Sequence, residues 1–204
     1  MNRKVLALTA LFSTLLTGCV ELSFKGTLNI EQTLKVKNNK NRMINLNPGN
    51  YTASINVSSK AVEVVVPVSQ REKQIFKLNV PKGMDIPENG QFSLTSAQSG
   101  QPFHLVANIK TEIRDTQPRR ELESCTYQRW EVVCAPNGPN GQVTCSQQPV
   151  TAWGRRSVLY FDRFFKRDLK AELFDKAEQT VKLATSQGLN QTVQRIVLQQ
   201  GTCY

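Results

Sequence analysis

Apolar residues on alternate positions, interrupted at short intervals by glycine, proline and asparagine, confine most of this chain to extended structure. Leu22, Phe24, Gly26, Leu28, Ile30, Gln32, Leu34 and Val36 share one parity. A period of two places one side chain in every pair against a core. The stretch therefore reads as one long half-buried strand, or as two with a kink at Gly26. Asn38 to Asn41 form a polar turn, and a short strand follows at Met43 to Leu46. Asn47-Pro48-Gly49-Asn50 is a second turn, in which proline presets φ and glycine supplies a positive φ. Tyr51, Ala53, Ile55 and Val57 alternate out of it, and strands at Val62 to Val68 and Ile75 to Val80 come next. Beyond the loop from Pro81 to Gly90 lie Phe92 and Leu94, then Phe103, Leu105, Ala107 and Ile109. Strands at this spacing with this punctuation imply an antiparallel sandwich or barrel.

The first nineteen residues have another character. Arg3 and Lys4 precede an apolar run from Val5 to Leu16, too short to span a ~30 Å hydrocarbon layer as a helix and suited to a cleaved export signal. The run ends in Leu16-Thr17-Gly18-Cys19, which resembles the lipobox of bacterial lipoprotein precursors. The resemblance implies cleavage after residue 18, acylation of Cys19, and anchorage in the envelope of a Gram-negative bacterium. Val20 stands where precursors retained at the inner membrane resemble one another in carrying Asp. The expected address is therefore the inner leaflet of the outer membrane, facing the periplasm, with the inner membrane or the cell surface as alternatives. Only Val20 and Glu21 separate Cys19 from the first strand, so the tether spans about 10 Å. The stretch from Leu46 to Ile55 is similar to the turn-into-strand of secreted β-sandwich domains. The expected fold is mainly β: an antiparallel sandwich, immunoglobulin-like or related, in residues 19–113.

Residues 114–124 are almost wholly polar and read as a charged connection. The C-terminal part, 125–204, holds Cys125, Cys134, Cys145 and Cys203, which in an oxidising compartment suggest two disulfides. Glu131 to Cys134 and Gln142 to Cys145 flank the loop Ala135-Pro136-Asn137-Gly138-Pro139-Asn140-Gly141. Pairing across a symmetric loop sets Cys134 opposite Cys145 on adjacent strands, leaving Cys125 for Cys203. Residues 164–185 support two readings. Phe165, Leu169, Leu173, Ala177, Val181 and Ala184 form a helical stripe, with Glu172/Lys176 and Glu178/Lys182 as supporting pairs. Leu169, Ala171 and Leu173, and then Val181 and Leu183, alternate instead as strands about a turn at Asp175 to Glu178. Helix is favoured for part of this stretch, and Thr192 to Leu198 reads as a final strand.

Catalytic chemistry is sparsely supplied. His104, the one histidine, lies opposite the apolar face of its strand and reads as a surface residue. No serine occupies a nucleophile elbow, and no cysteine or histidine spacing matches a zinc or calcium site. Asp115, Glu121 and Glu123 make the one acidic cluster near a loop; solvated charge is the favoured reading over paired-carboxylate hydrolysis. The formal net charge is +10. Export removes nucleic acid as a partner and leaves phospholipid, lipopolysaccharide phosphate, acidic polymers or acidic proteins. Arg155, Arg156, Arg163, Lys166, Arg167 and Lys170, interleaved with Trp153, Tyr160, Phe161, Phe164 and Phe165, form the candidate anion- or partner-facing patch. Three asparagine sequons, at Asn50, Asn56 and Asn190, are chance matches in a bacterial-type chain. The function expected is a membrane-anchored, non-enzymatic binding or accessory role in the envelope, without cofactor or metal. The alternatives are a cell-wall-directed enzyme or enzyme inhibitor, and a lipid- or lipopolysaccharide-binding module.

Overall fold

A computed structural model describes residues 21–69, 72–136, 143–177 and 180–204. The lipobox with Cys19, and most of the hairpin loop after Pro136, lie outside the described residues. The chain is mainly β and antiparallel. Its strands are β1 (Leu22–Ile30), β2 (Leu34–Lys37), β3 (Met43–Leu46), β4 (Gly49–Val57), β5 (Ala61–Pro67), β6 (Lys73–Asn79) and β7 (Gly90–Leu94). A single helical turn, α1 (Ser96–Ser99), precedes β8 (Phe103–Asp115), β9 (Arg119–Pro136), β10 (Val143–Asp175) and β11 (Lys182–Gln200). The large sheet runs β6-β5-β4-β1-β11-β10-β8-β7, with β9 also paired to β10, while β2 and β3 form a small sheet of their own. Two compact units divide the chain: residues up to Lys110 with Asp168–Asn190, and Thr111–Arg167 with Gln191–Tyr204. Strands β8, β10 and β11 contribute residues to both.

The first unit holds the core. Alternation puts Phe24, Leu28, Val64, Phe76, Phe103 and Leu169 inside, together with apolar residues from every strand that borders them. The two ends of the sheet meet around it. Phe76 of β6 and Phe103 of β8 pack edge to face, with ring centroids 6.3 Å apart. Gln101 is buried, and all of its amide is used. Its Nε2 donates to the carbonyls of Lys37 and Lys77 at 3.0 and 2.8 Å, and its Oε1 accepts from Lys37 N–H at 2.8 Å. One side chain thus ties β2 and β6 to the start of β8, and one sheet curled on itself supplies the facing layers of a sandwich.

Gly49 has φ +152° at the head of β4, as the Pro-Gly turn requires, and the Tyr51 hydroxyl donates to Asn47 O at 2.9 Å. Gly26 lies within β1 and is not a break between strands; the interruption falls at Glu31 to Thr33. Gly26 instead faces Gly188 across the ladder, so close that a Cβ would fall 1.8 Å from the Gln187 carbonyl oxygen.

Two expectations are corrected. Residues 164–185 contain no helix among those described: β10 continues to Asp175 and β11 begins at Lys182. Leu169, Ala171 and Leu173 are all buried, which only a period of two allows. The turn is closed by Asp175 N–H donating to Val181 O at 2.9 Å and Ala177 N–H donating to Asp175 Oδ1 at 2.7 Å. Glu172 pairs across it with Lys182 at 2.6 Å, not with Lys176 one helical turn on. Neighbouring strands offered a complete hydrogen-bond ladder, which outweighs a helical propensity of tenths of a kcal/mol per residue. Residues 114–124 are likewise not a connection. Strand structure covers them except for Thr116 to Pro118, and a unit boundary falls near Lys110 instead. Several of their charges are spent in cross-strand pairs, among them Asp115 with Arg163 at 2.8 Å and Arg119 with Asp162 at 2.7 Å.

Candidate binding surface

The second unit is built from long strands with little core. Among the described residues its buried side chains are Cys125, Val158, Tyr160 and Arg167. All 18 residues of β9 pair with β10 in one unbroken register, from Arg119 opposite Tyr160 to Pro136 opposite Val143. At about 3.4 Å per residue this is a ribbon roughly 60 Å long. The C-terminal tail flanks β10 as far as Arg155, whose N–H and C=O exchange bonds of 2.9 and 3.2 Å with Tyr204. Further out, among the described residues, the ribbon consists of β9 and β10.

Disulfides fix both parts. Cys134 and Cys145 are directly opposite in the ladder and bonded, as loop symmetry predicts, with Cα atoms 4.0 Å apart. Cys125 is bonded to Cys203 and anchors the tail. Cys125 faces Gly154, where a Cβ would come within 2.4 Å of the Tyr204 carbonyl oxygen, so only glycine leaves room for the tail.

The register determines what each face of the ribbon carries. On one face lie Arg119, Glu121, Glu123 and Arg129 of β9 with Arg156, Val158 and Tyr160 of β10. Here the charges are partnered. The Tyr160 hydroxyl donates to Glu121 Oε2 at 2.6 Å and accepts from Arg119 Nε at 2.8 Å. Arg195 of β11 reaches Glu121 at 3.1 Å and Glu123 at 2.8 Å, and its guanidinium lies 3.3 Å over the Tyr160 ring. The Tyr160 hydrogen bond, seconded by Arg195, holds the Glu121 carboxyl below its usual value. The bond to Arg163 does the same for Asp115. The three acidic residues read as a cluster are therefore ion-paired structural groups of two different sites.

The other face carries Leu122, Trp130, Val132 and Cys134 of β9 with Val143, Cys145, Pro149 and Trp153 of β10. Trp153 is 79% exposed and Trp130 69%, and Leu122, Val132 and Val143 are also exposed. Of the charged residues of the paired ribbon, only Arg120 and Arg155 share this parity. Trp130, Leu122 and Val132 are outside the basic patch expected from the sequence. The register that pairs Cys134 with Cys145 was sufficient to find them, because it puts even positions of β9 beside odd positions of β10.

The basic patch does not assemble. Arg155, Arg163 and Arg167 alternate along β10 with Arg156, Lys166 and Lys170, and successive strand side chains point to opposite faces. Arg163 is held by Asp115 and lies 5.5 Å over Phe161. Arg156 lies 4.0 Å from Glu123. Arg167 is 5% exposed, donates to Thr192 Oγ1 at 3.2 Å and packs 4.7 Å over Phe165. Lys166 is exposed on the outer parity, and Lys170 belongs to the first unit. Arg155 alone of the six stands beside Trp153 on the apolar face.

His104 Nδ1 accepts the Ser96 N–H at 3.2 Å, fixing the head of α1. Among the described residues no three His, Cys, Asp or Glu side chains are gathered to hold a metal. Comparison with protein-family models, curated proteins and solved structures finds no match to this chain.

Proposed function

We propose that this chain is a non-enzymatic envelope lipoprotein, acylated on Cys19, held at the inner leaflet of the outer membrane, that docks another envelope protein through the apolar face of the β9–β10 ribbon. The observation that carries the reading is the asymmetry of that ribbon. One face has its charges paired, and the other leaves two tryptophans and a row of aliphatic side chains in water. Exposed Trp is costly to a monomer, and Trp is enriched among the residues that dominate protein interfaces. Two disulfides suit an exported chain. They also hold the face rigid before it meets a partner, which lowers the entropic cost of binding.

The test is photo-cross-linking in intact cells from positions 130 and 153, with position 129 on the opposite face as the control. Purification and mass spectrometry of the adducts follow, along with the mass of the mature N-terminus. The reading predicts one or two recurrent envelope proteins cross-linked from 130 and 153 but not from 129. It also predicts that the double variant Trp130→Ser/Trp153→Ser loses them while its melting temperature holds, since exposed substitutions change stability by about 0.5 kcal/mol or less. Adducts that are equal from all three positions would overturn the docking face. An unmodified Cys19 would overturn the anchor.

A further inference from the structure

We propose that an open cleft on the outer face of the first unit binds a phosphorylated saccharide. The cleft has a volume of about 580 Å³ and crosses four consecutive strands, β1, β11, β10 and β8. That volume lies within the range of about 300–1,000 Å³ usual for small-molecule sites. Gly26 and Gly188 pair where the cleft crosses β1 and β11, and there a Cβ on Gly188 would come within 2.8 Å of Phe24 Cβ on the core side.

The lining is mixed, with three lysines and one aspartate among polar residues and the exposed Leu189 at its edge. Lys25, Lys110 and Lys170 enter it from three different strands, with Asp168, Asn108 and Gln187 between them. Their parity is opposite to that of the buried Phe24, Ile109 and Leu169, so these side chains belong to the solvent face. Lys110 and Asp168 have partners within the protein. Lys25 and Lys170 have no carboxylate partner among the described residues, although the protein spends carboxylates on Lys77 and Lys182 elsewhere in the same unit.

Two ammonium groups lining one cleft from β1 and β10, each with three donors, suit the oxygens of a phosphate dianion. Asn108 and Gln187 can both donate and accept, and Asp168 accepts, which matches the hydroxyl pattern of a sugar ring. A bare inorganic anion would leave these groups unused. The ligand chemistry is shared by a soluble sugar phosphate and by the phosphorylated sugar headgroup of a lipid. This site is separate from the ribbon and does not rest on its docking role.

Titration calorimetry of the purified protein with glucose 6-phosphate, glucose and inorganic phosphate tests the site, and a co-sedimentation arm uses lipid A in detergent micelles. The expected result is binding of glucose 6-phosphate more tightly than either glucose or phosphate. Lys25→Gln/Lys170→Gln should weaken it roughly tenfold or more, the scale of losing charge-assisted bonds. Lys60→Gln/Lys73→Gln, with the same loss of charge on exposed positions away from the cleft, should leave it unchanged. Lipid A binding that is sensitive to the cleft variant, with no binding of glucose 6-phosphate, would support the site and assign the ligand to a membrane headgroup. Equal losses in both double variants would reduce the effect to net charge and overturn the site. Phosphate binding as tightly as glucose 6-phosphate would overturn the saccharide. Binding of neither phosphorylated probe would overturn the proposal outright.

Discussion

Glu121 is exposed, yet it is the residue on which the partnered face of the ribbon converges. It accepts from Tyr160 and from Arg195, and so joins β9, β10 and β11. Its folded carboxyl titrates below its ordinary value of 4.5, first because Tyr160 donates to it and then because Arg195 stands beside it. In the unfolded chain that donor is gone and the ordinary value returns. Above pH 4.5 both states are ionised and the stabilisation is fully present. As pH falls below 4.5 the unfolded chain takes up its proton first, and the contribution is lost on passing through the depressed folded value. Asp115, held by Arg163, acts with the same sign from its ordinary value of 3.8. Glu121→Gln should therefore leave the unfolding midpoint less dependent on pH below 4.5 than the parent, with parallel profiles above it. Thermal unfolding followed at several pH values in both proteins measures this. Identical acid profiles would mean that solvent screens the pair completely.

At the scale of the element, the ribbon shows what the sequence made legible and what it did not. Pairing Cys134 with Cys145 required only loop symmetry and a period of two, and the register it sets extends along all of β9. The basic patch failed on the same rule: six cations within sixteen residues of one strand divide between two faces. Residues 114–124 misled because a charged run in sequence shows no partners. Arg119 finds Asp162, and Asp115 finds Arg163, only when distant strands come together. Residues 164–185 misled because Phe165, Leu169 and Leu173 satisfy periods of four and of two alike; the choice rested with neighbouring strands that no local window contains. A two-stranded ribbon is marginal in water, so its outer part depends on the Cys134–Cys145 bond. Closing a loop over a sequence separation of 11 gives about 3 kcal/mol in the chain-entropy model. The variant Cys134→Ala/Cys145→Ala should then raise the open population about a hundredfold, with tryptic cleavage after Arg129 rising in step. Mass spectrometry of timed digests reads this. Unchanged cleavage would show that cross-strand packing suffices to hold the ribbon.

Across the whole molecule, stability is unevenly distributed, because the two units rely on different physics. The first closes a sheet around Phe24, Phe76, Phe103 and their neighbours, and the described disulfides lie outside it. The second buries few side chains and depends on two covalent bonds, ion pairs and the ladder itself. Its Cys125–Cys203 bond spans a sequence separation of 78 and contributes about 4.5 kcal/mol in the chain-entropy model. Burial of apolar area is indifferent to a thiol reductant, and a disulfide is not. Reduction should therefore expose the backbone amides of 119–136 and 143–158 to hydrogen exchange while those of 22–30, 49–57 and 61–67 stay protected. Exchange with mass spectrometry, with and without reductant, distinguishes the alternatives by position. Loss of protection in both sets together would mean that the long strands make a single cooperative body. Loss confined to 119–136 and 143–158 would mean that reduction disables the exposed apolar face and leaves the lysine-lined cleft intact. The two proposed binding surfaces could then be switched off one at a time in the same molecule.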